Sequence, residues 1–168
     1  GTIKKDRPCL DVIINNAGIT YSGLIQDTPT ETFDKLIAVN ARAPFILCRD
    51  LLPLLKKSDR PRIINISSVV GVKGYPRQTA YSASKHALRG MSIALANELQ
   101  SENIDVHVIC TGGVDTDMVK NVRPDINKSE LITPDQVASA VEYLLTQSGP
   151  AFIDELRIRR RTSSPWFD

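Results

Sequence analysis

The chain has 168 residues, of which 24% are charged, with 21 basic and 19 acidic side chains and a net charge of +2. This length fits a single domain with its own core. The balanced charge gives no indication of a nucleic-acid partner, and there is no run of about 18 apolar residues that would indicate a membrane partner.

The cysteines and histidines bear on the cellular location of the protein and on whether it binds a metal. Cys9, Cys48 and Cys110 are widely spaced and odd in number, and Cys48 and Cys110 fall in apolar runs, which is typical of reduced core thiols. With no secretory signal pattern either, we expect a cytoplasmic protein. Since His86 and His107 are the only histidines, we expect no metal site.

Strands and helices alternate along the chain. Four β-branched runs predict buried strands, at residues 10–15, 62–67, 105–110 and 152–158. Helical spacing of apolar residues predicts three helices between them, from residue 29 to about 57, from about 80 to 100, and from 134 to about 147. This alternation predicts βαβ units, and therefore an α/β fold with a parallel sheet and right-handed crossovers.

Two of these helices begin with the pattern of a capping box, in which threonine is followed by proline and then by a Glu or Gln at the third helical position. The pairs are Thr28 with Glu31 and Thr133 with Gln136. We expect each threonine to cap its helix. After the last strand, the basic run of Arg157 and residues 159–161 is expected to be a solvated tail.

Asn40 lies inside the first predicted helix, where asparagine has poor propensity. Pro44 follows four residues later and lacks the N–H that would bond the Asn40 carbonyl. We therefore expect a kink that leaves this carbonyl without its helical partner. The alternative is a simple kink with no further role.

Several polar groups follow the strands, and ligands bind beyond the carboxyl ends of parallel strands. Asn16, Ser68 and the Gly112-Gly113 loop fall there, and Tyr81 begins the next helix. Tyr81 and Lys85 are four residues apart and share one helix face. A fixed cation beside a phenol would lower its pKa from ~10 toward the working range of an acid or base. The pair alone also fits an ordinary solvated helix.

Together these residues resemble the short-chain dehydrogenase/reductase family in both order and spacing. The matching segments are Asn15-Asn16-Ala17-Gly18, Val39-Asn40, Ile66-Ser67-Ser68-Val69-Val70-Gly71, Tyr81-Ser82-Ala83-Ser84-Lys85 and Gly112-Gly113-Val114-Asp115-Thr116. The resemblance runs from about residue 11 to 158. It implies a Rossmann-like doubly wound sheet and an oxidoreductase that uses NAD or NADP on a small-molecule carbonyl/alcohol pair.

The resemblance also implies roles for individual residues. Tyr81 would be the general acid/base, Lys85 would tune it, Ser68 would orient the substrate carbonyl, and the Asn40 carbonyl would hold a water of a proton relay. Adjacent strand residues point to opposite faces, and the family spacing to Tyr81 selects Ser68 over Ser67. The residues expected to contact the cofactor are Asn16, Ala17, Gly18, Tyr81, Lys85, Val114 and Thr116.

Two departures from the family pattern stand out. The family usually has proline where this chain has Thr111, which leaves the course of residues 111–116 open. Family members also begin with a glycine-rich turn that binds the cofactor phosphates, whereas the nine glycines here are scattered. We therefore expect residues 1–168 to be one partial domain without the first βαβαβ unit, poorly active alone.

In such a partial domain, the strand at residues 10–15 becomes an apolar edge. We expect it to pair with another chain, or residues 1–18 to be poorly ordered. We also expect a homodimer or homotetramer that pairs through the helices at residues 41–57 and 80–100. The apolar stripe on the second helix is formed by Ala87, Leu88, Met91, Leu95 and Leu99. The alternatives to an enzyme are a non-catalytic dimerising protein and a segment of a longer active one.

Overall fold

A computed structural model describes residues 8–165, which form a parallel sheet with helices on both faces. The sheet has the order β1-β2-β3-β4, and every neighbouring pair is parallel. The four strands are β1 Val12–Asn15, β2 Arg62–Ser68, β3 Asp105–Thr111 and β4 Glu155–Ile158. The predicted α/β fold is confirmed, although β1 and β4 are shorter than their apolar runs.

Five α-helices connect these strands. They are α1 Thr30–Ile37, α2 Ala43–Leu55, α3 Thr79–Leu99, α4 Asp117–Val122 and α5 Pro134–Thr146. The short helix α4 lies in a segment for which the sequence predicts no helix. Within residues 8–165, no helix has both the length and the apolar character needed to cross a bilayer.

The two faces of the sheet carry separate apolar cores. On one face Ile63 and Val106 pack with Leu55 and Leu99 from α2 and α3. The opposite face has a smaller core, formed by Ile64, Ile109 and Leu144. Because successive strand residues point to opposite faces, β2 and β3 are apolar on both sides, as central parallel strands require.

The first predicted helix is interrupted near Pro44, where the sequence predicts a kink. A π-helical turn, Ala38–Arg42, separates α1 from α2, and Pro44 is the second residue of α2. Proline cannot donate to the preceding turn, so the helix widens there instead of continuing with regular bonds. The turn places Asn40 in the interior, where it is 1% exposed.

One predicted capping box forms and the other does not. The Thr133 hydroxyl accepts from the Gln136 N–H at 3.2 Å, and the Gln136 side chain accepts from the Thr133 N–H at 2.9 Å. The prediction for Thr28 is wrong, since Pro29 is the N-cap of α1. The Thr28 hydroxyl donates backward to the Leu24 carbonyl at 2.8 Å, which closes a preceding turn.

Strand β1 forms one edge of the sheet. It pairs with β2 from Val12 to Asn15, and no strand within residues 8–165 covers its other side. Ile13 is buried, whereas Ile14 is 45% exposed. The expectation of poor order at residues 1–18 is wrong for residues 12–15, which form a regular strand, and residues 1–7 lie outside the described part of the chain.

Gly71 offers a test of the close packing between the turn after β2 and helix α3. A Cβ at this position would lie 2.7 Å from the Ser67 Oγ and 2.8 Å from the Lys85 carbonyl oxygen. We expect Gly71→Ala to lower the free energy of unfolding by about 1–3 kcal/mol, because the backbone at Lys85 must move to admit the methyl group.

The control is Gly90→Ala in α3, where a Cβ meets no atom within 4 Å. This variant should raise the free energy of unfolding by up to about 1 kcal/mol. Equal urea midpoints for the two variants would contradict the close packing.

Candidate active site

A cleft of about 1220 Å³ opens beyond the carboxyl ends of the strands. It lies where the sequence pattern places the ligand site, at the ends of β1, β2 and β3. The site residues that line it are Asn16, Ala17, Gly18, Ser68, Tyr81, Lys85, Val114 and Thr116. Of the site residues predicted from the sequence, only Asn40 does not line the cleft.

Ser68 and Tyr81 meet at the end of β2. Tyr81 lies in the first turn of α3, and its phenol is close enough to the Ser68 hydroxyl for that hydroxyl to lower the phenol's pKa. The Ser68 Oγ also accepts from the Val70 N–H at 3.3 Å, which fixes the hydroxyl at the strand end. Ser67 is occupied elsewhere, because its hydroxyl donates to the Lys85 carbonyl at 3.2 Å. The geometry therefore supports Ser68 rather than Ser67 as the hydroxyl beside the phenol.

Lys85 is 5% exposed, and its ammonium points into the same region. The Nζ donates to the Ile66 carbonyl at 3.0 Å and makes no other hydrogen bond to residues 8–165. A Cβ on Gly18 would lie 3.4 Å from this Nζ, so the glycine lets the loop after β1 approach the ammonium closely. An ammonium with unused donors beside a glycine loop fits the hydroxyls of a bound ribose.

The expected lowering of the Tyr81 pKa by Lys85 stays a prediction, because burial is the dominant influence on this phenol. Burial raises the pKa of the Tyr81 phenol above its ordinary value, and the nearby Ser68 hydroxyl opposes this only in part. Burial also lowers the pKa of Lys85 to about 8. Removal from water disfavours both charged forms, so burial shifts the two pKa values in opposite directions. In this structure the phenol is therefore protonated at neutral pH.

Asn40 joins three segments through its side chain. Its Nδ2 donates to the Ile19 carbonyl at 2.8 Å and to the Ser84 Oγ at 3.0 Å, while its Oδ1 accepts from the Ile19 N–H at 2.9 Å. Ser84 in turn donates to the Tyr81 carbonyl at 2.7 Å. The π turn is thus tied to the loop after β1 and to the start of α3. Sequence reasoning considered only the Asn40 carbonyl, whose relay role stays a prediction.

A second buried polar chain lies beneath the site. The Asn15 Nδ2 donates to the Asn65 Oδ1 at 2.7 Å, and the Asn65 Nδ2 donates to the Ser92 Oγ at 2.8 Å. All three residues are at least 94% buried. These hydrogen bonds link β1, β2 and α3, and so fix the strand ends relative to the helix that carries Tyr81. Their sequence signal is an asparagine inside each of two β-branched runs.

The segment after β4 lies beside the cleft, and the prediction of a solvated tail holds only in part, since Arg157, Arg159 and Arg161 are exposed whereas Arg160 is half-buried. Arg157 lies in β4, and Arg159 and Arg160 line the cleft. The cause is pairing at the end of β3: Thr111 extends that strand, and the Gly112 N–H donates to the Ile158 carbonyl at 2.7 Å. This pairing keeps the chain beyond β4 beside the glycine turn, instead of releasing it to solvent.

The pH dependence of stability should report the buried charge of Lys85. Its pKa is about 8 in the folded chain against an ordinary value of 10.5. Below about pH 8 both folded and unfolded chains carry the charge, and the folded state bears the full cost of burying it. Between about pH 8 and 10.5 only the unfolded chain keeps the proton, so this group makes stability rise with pH.

Lys85→Met should therefore be more stable than the parent below pH 8, by up to roughly 3 kcal/mol, and the difference should shrink toward pH 10.5. The comparison with the variant is needed because burial raises the pKa of Cys110 to about 11, which makes stability fall between about pH 9 and 11 in both proteins. Urea unfolding at several pH values measures the difference. A difference independent of pH would contradict the depressed lysine pKa.

Comparison with known proteins gives matches over most of the chain. Residues 1–127 match the family described as short chain dehydrogenase. A Bacillus subtilis protein, uncharacterized oxidoreductase YxjF, is 38% identical over 143 residues, which cover 85% of this chain and 56% of that protein. D-beta-hydroxybutyrate dehydrogenase of Rhizobium meliloti is 37% identical over 131 residues, which cover 78% and 51%. The chain thus spans about half the length of these curated relatives.

Solved structures of other proteins also superpose on most of this chain. A 4-hydroxyisoleucine dehydrogenase mutant complexed with NADH and succinate superposes with a TM-score of 0.80 at 30% identity, covering 90% of this chain and 68% of that one. A short chain dehydrogenase from Shigella flexneri complexed with NADP gives 0.85 at 30% identity, with coverage of 93% and 65%. Both share the sheet and the arrangement of helices described above.

Proposed function

Because the chain belongs to the short-chain dehydrogenase family, we propose that it provides the catalytic residues of an NAD(P)-dependent oxidoreductase acting on a carbonyl/alcohol pair. One observation carries the proposal: the Tyr81 phenol lies near the Ser68 hydroxyl and one helical turn from the buried Lys85 ammonium, all in one cleft. Such a group of a hydroxyl, a phenol and a cation can hold an oxygen and exchange a proton with it.

In this proposal the nicotinamide, when bound, supplies or accepts the hydride. Ser68 and Tyr81 hold the substrate oxygen between two hydroxyls. Tyr81 donates its proton to that oxygen during reduction and takes it back during oxidation. The raised pKa of Tyr81 keeps the proton on the phenol until the oxygen develops negative charge. The Lys85 ammonium then stabilises the phenolate that remains.

The cofactor would contact Asn16, Ala17 and Gly18 after β1, and Val114 and Thr116 after β3, while Lys85 would donate to the ribose. Its exact form stays open, since the matched structures contain NADH in one case and NADP in the other. The named relatives act on hydroxybutyrate, and on 3-oxoacyl groups carried by a protein in a Rickettsia felis reductase. These names favour a 3-oxo or 3-hydroxy compound as the first substrate to test.

The test is oxidation of NADH and NADPH in the presence of 3-oxo esters and acids, followed by the ultraviolet absorbance of the reduced nicotinamide. We expect slow turnover with at least one pair of cofactor and substrate at saturating concentrations. A preparation that binds reduced cofactor but transfers no hydride to any of these carbonyl compounds would contradict the proposal.

A non-catalytic dimerising role is the second candidate, and exposed apolar groups on α2 and α3 favour it. Phe45 and Leu47 on α2 are 51% and 45% exposed, and Ile93 on α3 is 48% exposed. Ala87, from the predicted stripe, also faces outward, whereas Leu88 is buried in the core. The same surface would serve a catalytic homodimer or homotetramer.

We therefore expect light scattering at micromolar concentration to give the mass of a dimer or larger oligomer. Ala87→Glu should shift the mass toward the monomer, because a carboxylate in an apolar helix contact is left unpaired. The control Ala151→Glu places the same charge on an exposed loop residue that belongs to neither helix. A monomeric parent chain would contradict pairing through this surface.

A further inference from the structure

We propose that Arg160 binds a carboxylate of the substrate, so that the cleft selects carbonyl or alcohol compounds that bear a negative charge. This inference rests on the proposed function, because it takes the side of the cleft next to Tyr81 as the place of reaction. It adds the chemical class of the substrate and names the residue that recognises it.

The charges of the cleft all have one sign. Among residues 8–165, the charged side chains that line it are Lys73, Lys85, Arg123, Arg159 and Arg160, and no aspartate or glutamate belongs to the lining. The whole chain carries only +2, so this is a local concentration of positive charge and not a general property of the surface. A concave, partly apolar wall with cations of one sign raises the local concentration of anions.

Most of these cations already have strong partners. Arg123 makes two bonds to the Asp125 carboxylate, at 2.9 and 2.8 Å. Arg159 donates through Nη1 to three backbone carbonyls, the shortest being that of Ser163 at 2.8 Å. Lys73 stands over the Tyr75 ring at 5.3 Å. These side chains therefore have less capacity left for a ligand.

Arg160 differs from them. Its contacts to Glu130 and to the Thr162 hydroxyl both run from Nη1 and are both 3.5 Å long. Its Nε and Nη2 groups, like those of Arg159, make no hydrogen bond to any residue in the described range 8–165, but the Nη1 bonds of Arg159 are shorter, at 2.8 to 3.2 Å. Arginine presents its donors as a planar fork that matches a carboxylate with two parallel bonds. Arg160 is thus the arginine of the cleft whose guanidinium is held most weakly by other residues, and unlike the exposed Arg159 it is half-buried.

The side chain is also held in place before any ligand arrives. It is 17% exposed, and its Cδ lies 3.6 Å from the position a Cβ would take on Gly113. The bond from the Gly112 N–H to the Ile158 carbonyl fixes the backbone just before it, and the Arg159 side chain bonds the Arg160 carbonyl at 3.1 Å. A guanidinium fixed in this way loses little entropy when it binds an anion.

The location of Arg160 indicates that it binds the substrate and not the phosphates of a cofactor. Arg160 follows β4, whereas Asn16 follows β1, and three strand spacings separate those strands by roughly 14 Å. The predicted contacts to the nicotinamide, Val114 and Thr116, come from the loop after β3, next to β4. Arg160 therefore lies on the side of the reacting end of the cofactor. Apolar residues of α4, Met118, Val119 and Val122, line the same cleft and suit a short carbon chain.

Binding of succinate to this chain, measured by titration calorimetry, tests the recognition directly. We expect the parent to bind succinate and not its neutral analogue succinamide. Arg160→Gln should weaken succinate binding about ten- to hundredfold, as expected for loss of a charged hydrogen-bonded pair. Arg161→Gln is the matched control, since Arg161 is exposed and does not line the cleft. Equal affinity in the parent and Arg160→Gln, or tighter binding of inorganic phosphate than of succinate, would overturn the assignment.

Turnover separates this inference from the proposed function. Acetoacetate and the neutral acetoacetamide are compared with reduced cofactor, and we expect Arg160→Gln to raise KM for acetoacetate alone. Arg160→Lys should recover part of the loss and shows that the site still folds. If neither compound is reduced but succinate binding still depends on Arg160, the proposed function fails, and of this inference only the binding of a carboxylate by Arg160 remains. If both are reduced equally and Arg160 has no effect, this inference fails and the function stands.

Discussion

Tyr81→Phe should remove nearly all hydride-transfer activity in a cofactor-competent form of the protein, with a loss of about 10²–10⁴-fold in kcat/KM. The phenol lies near the Ser68 hydroxyl and is the proposed source of the proton that the substrate oxygen needs. Phenylalanine keeps the ring and its packing but cannot donate. Since Tyr81 packs at the start of α3 through its ring, the circular dichroism spectrum and thermal midpoint should stay close to those of the parent.

Tyr143→Phe is the matched control. Tyr143 lies in α5, is 50% exposed and does not line the cleft, so the same deletion of a hydroxyl should leave kcat/KM unchanged. Retention of more than about a tenth of the parent activity by Tyr81→Phe would contradict the role of the phenol, because acid/base catalysis of this kind contributes at least about a hundredfold.

The fold could be predicted from the sequence because the period of the apolar residues differs between its elements. The runs that became β2 and β3 are buried on both faces, and only a central parallel strand tolerates such a pattern. Helix starts were less predictable. Thr28 and Thr133 carry the same local pattern, but the Leu24 carbonyl lies within reach of the Thr28 hydroxyl and competes for it. That competition depends on the preceding turn, which the pattern does not include.

The positions of the site residues were predictable for a topological reason. In a parallel sheet, the residues that follow the strands must meet at one edge, which brings Asn16, Ser68 and the Gly112 turn into one cleft. Their electrostatics could not be predicted in the same way. Spacing places Lys85 one turn from Tyr81, but the pKa of each depends on how much water the folded chain excludes. Burial is a property of the whole fold, and here it raises the pKa of Tyr81 and lowers that of Lys85.

The role of the basic run was missed for a related reason. Three consecutive arginines at residues 159–161 resemble a solvated tail in composition, but composition does not show where the last strand is paired. The bond between Gly112 and Ile158 carries Arg159 and Arg160 over the glycine turn and leaves Arg161 exposed. Adjacent residues with the same charge thus have different surroundings. This difference is what makes Arg161 a useful control for Arg160.

We expect this chain alone to bind NADH and NADPH at least a hundredfold more weakly than a complete member of its family, because it offers little to the two phosphates. A dinucleotide needs backbone N–H groups at a glycine turn and helix N-terminus, and the nine glycines of these 168 residues form no such cluster. The N-terminus of α5 lines the cleft at Pro134, but its capping box already uses the N–H groups of Thr133 and Gln136. The remaining predicted contacts, at Asn16, Lys85 and Thr116, serve the ribose and nicotinamide. Cofactor fluorescence during titration measures the affinity, and Lys85→Ala should weaken what binding remains. A Kd of about 1 μM or less for either cofactor, equivalent to roughly 8 kcal/mol of binding free energy, would show that another group of donors in this chain holds the phosphates.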